Sequence, residues 1–210
     1  MSKIVSINLI DTAKLIRQSL KESFPGVKFS VRSERYANGS SIHACWTDGP
    51  GREMVESITC RYRGGYCEPH TDYRSNLYHR LDGALVSFAP DHVFCHRKFS
   101  DKAVASAIHA VYEEHREILR DLSIEKPTTA DFFAGKLQAL HLWPTPPEVP
   151  MHQMFDELTE PRTQTMLDAV LELLNASNDR VAPADSRTAN RVTILVADND
   201  KGAIPEKHLH

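Results

Sequence analysis

Apolar and polar positions alternate with period two near the start of the chain, through Val27, Phe29 and Val31 and again through Ile42, Ala44 and Trp46. Between the two arms, Ala37-Asn38-Gly39 supplies the backbone that a tight turn needs, so the pattern predicts a β-hairpin. Ahead of it, Ala13, Leu15, Ile16 and Leu20 fall on one face of a helix over 12–23, capped by Asp11 or Thr12 and ended by Pro25-Gly26. Behind it, Met54, Val55 and Ile58 predict a helix over 51–60 that Gly64-Gly65 stops. Residues 61–80 are polar and aromatic without a period. Two more apolar runs, 84–88 and 92–95, flank Ala89-Pro90-Asp91 and predict a second hairpin. Ser100 then caps a helix over 101–122 whose buried stripe is Val104, Ile108, Val111, Tyr112 and Leu119.

This order predicts an α+β fold, an antiparallel sheet built from two β-hairpins with helices packed on one face. That domain spans residues 1–122. A Pro-rich linker and helical region, 123–178, follows, in which Pro144, Pro146, Pro147 and Pro150 exclude helix. Its helices are expected over 131–140 and from Met151 or Arg162 to Asn175. Residues 179–210 read as a largely disordered acidic tail, except for the β-prone run 192–197, which either completes a sheet edge or stays exposed.

Charge divides along the chain. Residues 1–100 carry 14 Lys and Arg against 10 Asp and Glu, and residues 101–210 carry 11 against 18, so a basic half precedes an acidic one. Such a division suits a nucleic-acid face beside an acidic interaction surface; differing solvated helix faces explain it equally well. No apolar run approaches the roughly 20 residues of a membrane span, and the first ten residues make a poor secretory signal. A cytoplasmic protein is expected. The four cysteines, Cys45, Cys60, Cys67 and Cys95, are then free thiols or metal ligands rather than disulfides.

Three groups of residues could carry chemistry. Cys60, Cys67, His70 and His79 offer thiolates and imidazoles for a zinc ion, at a spacing unlike the usual knuckle; the plain alternative is small buried thiols and surface histidines. The run Arg61-Tyr62-Arg63-Gly64-Gly65-Tyr66 alternates guanidinium groups with rings that stack on bases, and Arg32, Arg35 and Tyr36 at the hairpin tip extend it. Surface tyrosine and arginine serve a protein interface equally. Glu68, His70, Asp72 and His79 place acids and imidazoles close in sequence, as general acid–base or metal-assisted hydrolysis would use. No phosphate loop or nucleophile elbow accompanies them, so catalysis is the least supported reading.

The segments Ala13–Arg32 (AKLIRQSLKESFPGVKFSVR), Gly39-Ser40-Ser41-Ile42, Trp46-Thr47-Asp48-Gly49-Pro50 and Phe88–Ser100 (FAPDHVFCHRKFS) resemble, over residues 8–120, the large polyvalent protein associated domain 29 of phage and plasmid proteins. The resemblance implies an accessory role in a mobile genetic element, countering host defences, and brings no catalytic residues. Together these features lead to the expectation of a non-enzymatic protein that binds a host protein or nucleoprotein, inhibiting a defence complex of the CRISPR or restriction type. Its acidic half would compete with nucleic acid for a basic groove. A single-stranded nucleic-acid-binding module is the alternative, and a zinc-dependent hydrolase or zinc-stabilised fold the second.

Overall fold

The computed structural model describes residues 4–37, 39–67, 74–142, 165–178 and 182–195. Contacts divide the chain into two units, residues 1–98 with 179–210, and residues 99–178.

The first unit opens with β1 (Val5–Ile7) and α1 (Leu9–Ser23). The helix starts earlier than the apolar period suggests because Asn8 is its cap, accepting from Asp11 N at 2.9 Å. The hairpin β2 (Ser30–Tyr36) and β3 (Gly39–Thr47) pairs as the alternation predicts. Next come α2 (Arg52–Thr59), a 3-10 turn over Cys60–Tyr62, and the short strands β4 (Gly65–Cys67) and β5 (Arg74–Asn76). The strands β6 (Tyr78–Leu81), β7 (Ala84–Phe88) and β8 (His92–Lys98) complete this stretch.

The fold is α+β, but its strands are shared out differently from the expected pair of hairpins. β7 and β8 do not pair. β7 turns back on β6 through Asp82-Gly83, while β8 leaves to lie parallel to β3, with Ala44 opposite Cys95. Asp82 (φ 52°) and Gly83 (φ 82°) hold the two left-handed conformations of a tight hairpin turn. The result is two mixed sheets, β2-β3-β8 and a four-stranded sheet that includes β1, β7 and β6, plus the β4-β5 ribbon. Ile16, Leu20, Ile42, Trp46, Val55 and Phe88 join in one buried cluster.

The second unit holds α3 (Asp101–Glu114), α4 (Arg116–Asp121), α5 (Thr129–Phe133), a 3-10 turn over Lys136–Ala139, and α6 (Met166–Asn178). The expected long helix is therefore broken, at His115. Val104, Ile108 and Val111 bury against Leu137, Leu142, Met166 and Val170, a core of their own. The division thus falls before α3, which the sequence pattern groups with the first domain.

Two further elements return to the first unit: α7 (Arg187–Asn190) and β9 (Val192–Leu195). β9 pairs antiparallel with β6, Val192 opposite Leu81, and so completes a sheet edge. The Glu22 carboxylate of α1 holds this return segment, accepting from Ser186 Oγ (2.8 Å), Thr188 N (2.9 Å) and Thr188 Oγ1 (3.0 Å). The Thr188 amide, then Gln18, hold its pKa down at about 2. Arg191 makes a bidentate pair with Asp82. Glu22→Ala should therefore lower stability by about 1–2 kcal/mol and speed amide exchange in residues 186–195 beyond exchange elsewhere. Uniform exchange in the variant would deny Glu22 this role.

Candidate functional site

Side chains of β3 and β8 alternate between a buried and an open face, and in-register partners share a face. Ile42, Ala44, Trp46, Val93 and Cys95 point into the core. His43 and Cys45 on β3, and His92, Phe94 and His96 on β8, therefore occupy the other side. On β2, Arg32 stands opposite His43 and Glu34 opposite Ser41. Lys98, opposite Thr47, closes one end.

The rings on this face touch one another. His43 stacks on Phe94 with centroids 5.1 Å apart, and His92 stacks on Phe94 at 5.6 Å. His43 Nδ1 lies 3.1 Å from His96 Nε2, and the two ring planes differ by 9°. The other ring nitrogen of His43, Nε2, meets Ser41 Oγ at 3.1 Å and Glu34 Oε2 at 3.6 Å. Phe94 remains 42% exposed, a large apolar ring held in water among polar neighbours. Flat rings flanked by Arg32 and Lys98 can stack on planar groups and attract anions.

Sequence reasoning passed over this face, although His92-x-Phe94-x-His96 carries a period-two signal. Of the residues it singles out, Arg32 and the exposed Tyr36 lie on this side of the sheet, and the structure disperses the others. Arg35 sits on the opposite side of β2. Tyr62 is 0% exposed, with its hydroxyl 2.6 Å from Ser19 Oγ and its ring edge-on to Phe88, so it cannot stack on a base. Arg61 is half-buried and donates to Ala189 O at 3.1 Å; Arg63 is also half-buried. For Tyr66 and Cys67 only the backbone is described, as residues of β4. His70, Glu68 and Asp72 lie outside the described residues.

Of the zinc candidates, Cys60 is half-buried with Sγ 3.3 Å from Ser57 O. His79 belongs to no loop. It sits on β6, 0% exposed and edge-on to Phe88, with both ring nitrogens lacking a hydrogen bond, and burial pushes its pKa down to about 4. Among the described residues, no group of three or more His, Cys, Asp or Glu side chains is arranged to hold a metal ion. Among the same residues, no helix is long and apolar enough to cross a membrane.

The hairpin, α2 and the two following sheet segments form a continuous stretch, and that stretch has a known likeness. Residues 7–100 match the large polyvalent protein associated domain 29. The match covers α1 to the end of β8, and so takes in both strands that carry the ring-lined face. It associates the chain with phage and mobile-element proteins. No curated protein and no solved structure is significantly similar to the chain. The polyvalent-protein segment stops short of β9, so the strand that completes the four-stranded sheet comes from beyond the match.

Proposed function

We propose that this chain is a non-enzymatic binding protein of a mobile element and that it holds single-stranded nucleic acid on the open face of β2-β3-β8. The observation that carries the reading is the ring cluster of His43, His92, Phe94 and His96, exposed on a sheet beside Arg32 and Lys98. Imidazole and phenyl rings stack on unpaired bases, and the cations meet the phosphates; duplex bases are already stacked and offer no such faces. A strand bound here is withheld from a host defence nucleoprotein, which gives the accessory, defence-blocking role its physical form.

Fluorescence anisotropy with labelled oligonucleotides tests this reading. Single strands should bind more tightly than duplexes of equal length, with affinity falling as salt rises. Phe94→Ala should weaken binding about tenfold or more, since one base–ring stack is worth about 1–3 kcal/mol. Arg32→Ala should weaken it less and flatten the salt dependence, whereas Arg61→Ala, at a side chain already bonded to Ala189 O, should leave it unchanged. Equal affinity in Phe94→Ala and the parent chain would sink the proposal.

A further inference from the structure

The nitrogens of His43 and His96 that face each other suit more than a shared proton. We propose that this pair is a chelating site for a divalent transition-metal ion, with His43 Nδ1 and His96 Nε2 as ligands and water in the remaining positions. Imidazole is a preferred donor for zinc, copper and nickel. At nitrogen–metal distances of about 2.0–2.1 Å, two neighbouring ligand nitrogens lie about 2.9–3.4 Å apart. The observed separation of 3.1 Å falls within that range.

A second observation concerns the far side of the His43 ring. A ligating histidine turns its other ring nitrogen to a carboxylate or hydroxyl, which fixes the tautomer and raises the basicity of the ligating one. His43 Nε2 faces Ser41 Oγ at 3.1 Å and Glu34 Oε2 at 3.6 Å. With its proton on Nε2, the Nδ1 lone pair is left toward His96. With that tautomer, His96 Nε2 donates to His43 Nδ1 in the metal-free pair. For a metal to enter, the two rings turn so that both lone pairs point at it, and the proton displaced from His96 Nε2 is replaced by one at its Nδ1, the neutral tautomer that ligates. Only two protein side chains ligate, consistent with the absence of any three-residue cluster among the described residues. The water positions face the same side as Phe94 and Arg32, where a phosphate oxygen or base nitrogen of a bound strand could replace one of them.

Isothermal titration of the full chain with Ni2+, in the absence of nucleic acid, tests the site separately from the binding function. The parent for the experiment carries His208→Ala and His210→Ala, to remove a competing histidine pair. One site in the micromolar range is expected. His43→Gln and His96→Gln should each weaken it by more than about tenfold, and Glu34→Gln by about tenfold through the orientation of His43. These residues lie on an exposed face, and circular dichroism checks that each variant keeps its fold. Binding that survives both histidine changes, or no binding below millimolar Ni2+, would overturn the site whether or not the face binds nucleic acid.

Discussion

Gly64→Ala should lower the stability of the first unit by more than about 3 kcal/mol, among the largest effects a single methyl can have. A Cβ at this position would stand 1.9 Å from the backbone oxygen of Phe88 and 3.2 Å from that of Pro90. Neither contact is with the end of a flexible side chain. The glycine is also pinned on both sides: its amide donates to Pro90 O at 2.7 Å and its carbonyl accepts from Leu77 N at 3.0 Å. Relief therefore requires moving the end of β7, where Phe88 packs between Tyr62 and His79. Gly83→Ala provides the comparison, because that glycine has a left-handed φ of 82° but nothing within 4 Å of the added carbon. It should cost only about 1–2 kcal/mol. Urea unfolding of both variants checks the order, and a Gly64→Ala loss no larger than that of Gly83→Ala would show that β7 yields easily.

Mild acid should destabilise the same unit through His79. Its imidazole is held near a pKa of about 4 by burial, against 6.5 for an ordinary histidine. The unfolded chain therefore takes up a proton as pH falls through 6.5, while the folded chain does not until about 4. Stability from this group is complete above 6.5 and declines through that window by about 1.4 kcal/mol per pH unit, for a total of about 3 kcal/mol. Glu22 also loses its advantage on acidification, but only between its usual 4.5 and about 2. The interval from pH 6.5 to 5 consequently separates the contribution of His79 from that of Glu22. His79→Leu, which keeps an apolar side chain against Phe88, should remove most of the slope of unfolding free energy across that interval. An unchanged slope would assign the acid sensitivity to other groups.

How much of this was legible in the sequence varies from one element to the next. The first hairpin was readable because its two arms alternate and their turn lies between them. The second was misassigned although Asp82-Gly83 is the stronger hairpin turn, because the polar surroundings of His79 hid the four-residue strand ahead of it. Parallel pairing of β3 with β8 leaves no local mark, since the residues brought opposite each other share no turn. The contact between His43 and His96, and with it the candidate site, was unreadable for that reason. Tyr62 was a different kind of miss. Arginines and glycines around it suggested surface, yet Val55, Ile58 and Tyr62 continue one helical stripe through the 3-10 turn into the core.

The late return of β9 has a consequence for how the protein is made. Asp82 and its partner Arg191 are 109 residues apart in sequence. A ribosome adding about 5–20 residues per second needs on the order of ten seconds to travel between them. Throughout that time β6 has a bare edge, its carbonyls and amides open to any extended segment nearby. The part of the chain synthesised first is the part that finishes folding last, and a nascent polypeptide stalled in that interval carries a sheet ready to accept the wrong strand.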